Sequence, residues 1–345
     1  MTVAVDFAGP GDKEDWSGFV DAAPDAQFFH RGDWRDLLAG CFPYRDASLI
    51  ARTGGHVVGV LPLMSMRSPL TGSALISMPL GISAGPLAET AAVRDALIAR
   101  AVTLVGEIGG KYLELRDVAD DAVPADGGWH SPSDFAIFEK DISDTPEAAL
   151  LAIPRKQRAE VRRGMKAGLV AVDGTLDEFY PLYCRTMRGH GTPPMPMSYF
   201  RGLVDTFAGD VDILAIRRDG RTVCAVLSFY HRNCVLPYYA GALDEARTVG
   251  GFAFMYYALM KRALARGVTR FNFGRSFVDS GAYAFKVNFG FSPRPARYRF
   301  YAARPQDLPG LHPDNPKLKP LLAVWRKLPL PVTVLLGSRL SWMAP

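Results

Sequence analysis

Asn272-Phe-Gly-Arg-Ser-Phe-Val-Asp-Ser-Gly-Ala-Tyr-Ala-Phe-Lys-Val-Asn-Phe-Gly-Phe is the stretch whose residue types could best do chemistry. It sets Arg275, Ser276, Tyr283, Lys286 and Asn288 among the apolar rings of Phe285, Phe289 and Phe291. The pattern predicts a strand ending at Phe273, then a polar, glycine-punctuated loop whose side chains form a substrate-facing rim with rigid aromatic backing. The competing reading is a structural turn that carries a surface lysine.

Two further segments suit anions. Pro154-Arg-Lys-Gln-Arg-Ala-Glu-Val-Arg-Arg-Gly-Met-Lys holds six basic residues against Glu160 alone. As a helix it puts Arg155, Arg158 and Arg162 on one face, with Arg163 and Lys166 close by, and Lys156 joins them as a candidate phosphate contact. The second segment is Arg247-Thr-Val-Gly-Gly-Phe-Ala, in which Gly250 and Gly251 open a helix. Free N–H groups and the positive dipole end at such a start can hold an anion, and Arg247 adds charge. His190 and Tyr239 complete the substrate-binding candidates. Other chemistries fare worse. His30, His56, His130, His190, His231 and His312 show no paired ligand spacing, so no metal site is expected, and no Walker or dinucleotide loop occurs. Gly81-Ile-Ser-Ala-Gly85 matches G-x-S-x-G, but Pro86 and Leu87 follow where a nucleophile elbow needs a helix, so Ser83 reads as part of a glycine-rich turn.

These segments belong to a chain of 345 residues with 48% hydrophobic and 22% charged content. That length favours two cores, and that composition excludes disorder and a small binding module. The net charge of +5 is concentrated in the basic helix and in the tail after Asp314, where Lys317, Lys319, Arg326, Lys327 and Arg339 meet no acid. The body between them is mildly acidic, a distribution that fits contact with a polyanion. Aromatic residues do not interleave with the basic helix, which argues against base stacking as the main task. Cys41, Cys184, Cys224 and Cys234 have no C-x-x-C spacing and read as packing residues in a reducing cytoplasm. No signal-peptide core and no run of 18 apolar residues is present, so no spanning helix is expected. From Leu318 to Met343 the tail mixes Leu, Val, Trp325 and Trp342 with Lys and Arg. It could lie on an anionic membrane surface or pack on the body as a strap, and Pro320, Pro329 and Pro331 rule out one long helix.

A weak repeat organises the chain. Ala47–Leu63 and Val211–Tyr230 both read as hairpins, with turns at Thr-Gly-Gly and Arg-Arg-Asp-Gly. Each is followed by a helix, over 91–108 and 252–266, that stops at Gly109 or Gly267, and then by a strand at Tyr112-Leu-Glu-Leu or Arg270-Phe-Asn-Phe. Helical stretches precede each copy. The boundary is placed where Asp144 or Thr145 caps a helix with Pro146 at its first position. This gives an N-terminal domain over 1–143, a C-terminal domain over 144–305 that carries the active site, and a tail over 306–345.

The segment that begins Asn272-Phe-Gly-Arg-Ser and ends Phe-Lys-Val-Asn-Phe-Gly-Phe resembles the closing motif of the FemAB family, in the branch associated with the exosortase and PEP-CTERM envelope system. The basic helix is similar to that family's K-x-R-x-x-x-R-K-A-x-x-x-G-L pattern. Gly189-His-Gly-Thr-Pro-Pro, Gly59-Val-Leu-Pro-Leu and Leu328-Pro-Leu-Pro-Val-Thr resemble further segments of it. The resemblance implies an α/β fold of two tandem GNAT-like domains, mixed central sheets flanked by helices, with a C-terminal strap. It implies transfer of an acyl or aminoacyl group to an amine of a cell-envelope, peptidoglycan or exopolysaccharide precursor, in the cytoplasm or at the periphery of the inner membrane. Lys286 would steady the tetrahedral oxyanion beside Tyr283, and the arginines of the basic helix would grip phosphates of the donor or of a lipid-linked acceptor. Aminoacyl-tRNA or acyl-CoA would serve as co-substrate, with no bound metal or permanent cofactor. Arg247-Thr-Val-Gly-Gly-Phe-Ala lies one residue out of phase with the R-x-x-G-x-G/A loop of CoA-using GNAT enzymes, and the coiled-coil arm of some tRNA-using members is missing. Two rival readings stay open: an acyl-CoA-dependent N-acyltransferase acting on a small-molecule or sugar amine, and a non-catalytic, membrane-associated assembly factor.

Overall fold

A computed structural model describes residues 2–69, 72–124, 126–132, 134–308 and 319–343. Lys317 and Leu318, counted above in the basic tail, lie outside the described residues. The chain divides into two compact units. The first comprises Met1–Ser133, Ala296–His312 and Trp342–Pro345; the second comprises Asp134–Pro295 and Pro313–Ser341.

The first unit opens with β1 (Ala4–Phe7), α1 (Lys13–Ala22), α2 (Gly32–Cys41) and β2 (Arg45–Asp46). Its expected hairpin is β3 (Leu49–Thr53) and β4 (His56–Leu61), turned at Gly54 and Gly55, whose φ values of 59° and 86° belong to glycine. Then come β5 (Met64–Ser68), β6 (Gly72–Ile76), β7 (Leu87–Ala88), α3 (Ala91–Glu107), β8 (Tyr112–Arg116) and β9 (Trp129–His130). α3 starts where Thr90 Oγ1 accepts the Val93 N–H, and it buries Val93, Leu97, Ala101 and Leu104 at helical spacing.

The second unit begins with β10 (Phe135–Asp141). It continues through α4 (Pro146–Ala152), capped by Thr145 as expected, the basic helix α5 (Arg155–Lys166), β11 (Val170–Asp173), α6 (Leu176–His190) and α7 (Met197–Thr206). β12 (Val211–Arg218) and β13 (Arg221–His231) form the second hairpin, followed by β14 (Cys234–Ala242), α8 (Asp244–Thr248), α9 (Gly251–Ala265), β15 (Arg270–Phe277), α10 (Gly281–Asn288) and β16 (Pro293–Pro295). The sheet order is β11-β12-β13-β14-β15-β10-β16. α9 packs on one face over a core that includes Val226, Val235, Met255, Leu259 and Phe271. On the other face α6 crosses β14 so closely that a Cβ at Gly241 would sit 2.2 Å from Tyr183 N. The chain ends with β17 (Tyr298–Tyr301), α11 (Lys319–Lys327) and α12 (Leu330–Leu340).

β17 does not join the second unit. It inserts between β8 and β9, completing a six-stranded sheet of order β2-β5-β6-β8-β17-β9, while β1-β3-β4-β7 form a separate sheet. Conversely β10, which a division at 143/144 assigns to the first half, pairs antiparallel with β15 and β16. Each half of the chain therefore supplies a strand to the other half's sheet, and a boundary placed by sequence order separates β10 from its hydrogen-bonding partners.

Candidate functional site

The motif from Asn272 onward builds a bulge. β15 does not end at Phe273 as the sequence reading expects; it runs on to Phe277. Phe138 pairs with Gly274 and Glu139 with Asn272, so Phe273 is an extra residue in the ladder. Asn272 Oδ1 accepts the Gly274 N–H at 2.7 Å, and Gly274 takes φ 66°, a left-handed conformation that explains the glycine. What was expected as loop is helix α10, started by Ser280 Oγ accepting the Tyr283 N–H. α10 delivers Lys286 under the bulge.

Lys286 is buried, and its Nζ donates to the carbonyls of Phe273 (2.7 Å), Arg275 (3.1 Å) and Gly274 (3.4 Å). Three ammonium donors thus meet three backbone acceptors at the point where β15 leaves its regular ladder. Burial pulls the ammonium's pKa down to about 7. Lys286 is therefore a buried group tied to β15, and the surface-lysine reading does not hold. Tyr283 is half-buried with its ring edge-on to Phe138 at 5.2 Å. The Arg275 guanidinium lies over the Phe135 ring at 4.8 Å, and Ser276 Oγ is buried without a hydrogen-bond partner.

β14 and β15 run parallel but pair only at Cys234↔Arg270 and Val235↔Phe271, then part. Beyond Val235 one edge of β14 has no strand partner among the described residues, while its other edge stays on β13. An open V of this kind can take an extended ligand as an added strand. The face of β14 toward α6 is walled by rings: Tyr239 lies edge-on to Phe200 (5.1 Å) and Tyr183 (5.8 Å), and its hydroxyl pairs with that of Tyr199 at 3.0 Å. Burial, then the neighbouring tyrosines, push the Tyr239 hydroxyl well up, so it stays a protonated donor.

The basic candidates separate into two kinds. Arg155, Lys156 and Arg162 are exposed and form no ion pair among the described residues. Arg158, grouped with them by spacing, instead turns its Nη1 back to the Leu151 carbonyl at 2.6 Å. Arg163 donates to the carbonyls of Arg247 (3.2 Å) and Thr248 (2.5 Å), tying α5 to the end of α8. The glycine pair serves packing: Gly250 is buried at φ 74°, and a Cβ there would lie 2.3 Å from the Glu160 carbonyl. Arg247 is the exposed cation of that segment. Its charge reaches His190, whose imidazole is held below its ordinary pKa by desolvation first, then by Arg247 and Arg326.

The corresponding place in the first unit is occupied by its own chain. Ser77 N donates to the Glu114 carbonyl and Ala84 N to that of Arg116, and Arg116 Nη1 donates to the carbonyls of Met78 and Gly81. A Cβ at Gly85 would come within 2.6 Å of the Asp117 carbonyl. The G-x-S-x-G string thus lies along the end of β8 as a buried segment with no helix after it before Ala91.

All four cysteines are free, and burial raises the thiols of Cys184 to about 11 and of Cys224 and Cys234 to about 12, so none of these three is a thiolate at neutral pH. Among the described residues no cluster suited to a metal occurs, and no helix is long and apolar enough to cross a membrane. Sequence reasoning missed Tyr183, Tyr199 and Phe200. Their helical spacing marks buried faces, but nothing local ties them to Tyr239.

Residues 155–287 match the family model described as an acetyltransferase (GNAT) domain. A search of curated proteins finds no match. Among solved structures, FemX superposes with a TM-score of 0.67 at 15% identity, covering 87% of this chain and 97% of that one. A tandem GNAT protein from the clavulanic acid biosynthesis pathway gives 0.56 at 14% identity, covering 88% and 99%. L-PGS from Bacillus licheniformis gives 0.56 at 13% identity, covering 93% and 98%. The fold is that of two tandem GNAT-like domains with mixed sheets flanked by helices.

Proposed function

We propose that the protein is an N-acyl or aminoacyl transferase whose single site lies in the second unit and whose acceptor is an amine of a cell-envelope or exopolysaccharide precursor. The observation that carries this reading is the parting of β14 from β15, which leaves a backbone edge for an extended donor next to the bulge held by Lys286. The first unit's matching edge is filled by its own segment, which supports one site per chain. The neutral acceptor amine attacks the donor carbonyl; the tetrahedral oxyanion collapses, the C–N bond stays, the leaving oxygen or sulfur departs with the electron pair, and the amine's proton is lost to solvent. Lys286 spends its three N–H donors on the carbonyls of β15, so as our candidate for oxyanion stabilisation it acts through the ammonium charge and by fixing that strand, with Tyr283 beside it.

The aromatic wall at Tyr239 suits the apolar face of an acyl chain or sugar, and Arg155, Lys156 and Arg162 suit phosphates. The likeness in fold to FemX and to a putative lysylphosphatidylglycerol synthetase favours an aminoacyl donor and an envelope acceptor, and the location we assign is cytoplasmic with peripheral contact at the inner membrane. A CoA donor is the second reading, favoured by the acetyltransferase model match and by exposed Arg247. Calorimetry separates the two. Titration with acetyl-CoA, a long-chain acyl-CoA and a charged tRNA should give saturable binding of one class. CoA binding abolished by Arg247→Glu supports the second reading; tRNA binding that weakens steeply with salt and with loss of Arg155 and Arg162 supports the first. Silence from all three donors overturns the transferase and leaves the scaffold.

A further inference from the structure

The tail packs on the second unit as a strap, yet keeps an apolar ridge. α11 and α12 both lie against α6. Trp325 and Thr333 are buried, a Cβ at Gly337 would lie 2.5 Å from Pro194, and Arg326 donates to the His190 carbonyl. These contacts fix which way each helix faces. On the sides turned from α6, Leu321 and Val324 are each 59% exposed, Leu335 58% and Val332 38%. Both pairs stand three residues apart, so each helix carries a short apolar row. Beside the rows are exposed Lys327 and Arg339, and the described tail holds no acid.

We infer that this ridge is a docking surface for an anionic phospholipid bilayer. Leu321, Val324, Val332 and Leu335 enter the headgroup–acyl boundary, and Lys327 and Arg339 meet lipid phosphates. Four apolar side chains give only marginal membrane affinity, so the basic rim is needed as a second attraction and the surface must be anionic. A second copy of the chain suits the ridge poorly, because a two-fold contact would bring the same cations together with no acid to offset them. The inference deepens the peripheral-location part of the proposed function and rests on it only for the choice of leaflet. Its test involves no transfer assay, so the two can fail separately.

The experiment is flotation of the full-length protein with vesicles of phosphatidylcholine alone or with about a third phosphatidylglycerol. Binding is expected to the anionic vesicles only, and to weaken as salt is raised. Leu321→Glu combined with Leu335→Glu should lower partitioning at least tenfold while Tm is retained. Lys327→Glu and Arg339→Glu should each lower it roughly fivefold or more. If the glutamate pair unfolds the chain, Leu321→Ser with Leu335→Ser provides the same reading. No flotation, equal flotation with neutral vesicles, or indifference to these variants overturns the inference. So does a dimer in solution that the Leu321/Leu335 variants dissociate.

Discussion

Lys286→Met is expected to lower kcat by about 10²–10³ while leaving the donor Kd unchanged, a loss of the size seen when one electrostatic stabiliser of an oxyanion is removed. Equal loss in kcat and in donor affinity would mean that Lys286 only shapes β15. Stability against pH supplies an independent readout. The folded-state pKa is lowered to about 7 by burial, whereas the unfolded chain keeps the ordinary lysine value. Between those values the unfolded chain binds a proton that the native chain does not, so stability rises with pH from about 7 to about 10. Below 7 both states are protonated and the native chain bears the full cost of the buried charge. Lys286→Met should flatten this slope in a series of thermal melts. If the slope persists in the variant, it belongs to another group.

Gly241→Ala should destabilise by about 3 kcal/mol or more, lowering Tm by roughly 6–12 °C. The new methyl would meet Tyr183 N at 2.2 Å and the Leu182 carbonyl carbon at 2.4 Å, both backbone atoms, so α6 must move off the sheet to admit it. Gly18→Ala is the control, because nothing lies within 4 Å of a Cβ there and α1 should gain roughly 0.5–1 kcal/mol. A melt of Gly241→Ala within about 1 °C of wild type would show that α6 rides more loosely on β14 than its spacing implies.

Much of the fold was legible because it is locally encoded. The Gly-Gly and Asp-Gly turns announced both hairpins, and Asp144-Thr145-Pro146 announced the start of α4, with the choice of Thr145 over Asp144 as its cap left to the structure. What escaped depends on partners distant in sequence. Nothing near Phe135–Asp141 says that its partner is β15, so the boundary fell on the wrong side of β10. Phe273 looked like the end of a strand because Gly-Arg-Ser follows; the bulge is visible only once Phe138 and Glu139 stand opposite. Lys286 stands out in the sequence as a lysine among aromatic residues, but its three carbonyl partners arise from that bulge. The basic helix was placed correctly, while Arg158 and Arg163 proved to be tied to backbone that charge counting cannot see.

The exchange of β10 and β17 sets a timetable for synthesis. β10 emerges from the ribosome with the first half of the chain, but its partner β15 follows roughly 130 residues later, on the order of ten seconds at ordinary elongation rates. Until β17 has also emerged, β8 presents an unpaired edge, which invites association with other nascent chains. Translation must therefore pass Pro295 before the second half's sheet can close and Tyr301 before the first half's can. A fragment ending at residue 143 is expected to aggregate when expressed alone and to become soluble when co-expressed with 144–345, as sedimentation of the two lysates would reveal. Pausing or chaperone capture between the two halves should thus govern yield more than the stability of either core.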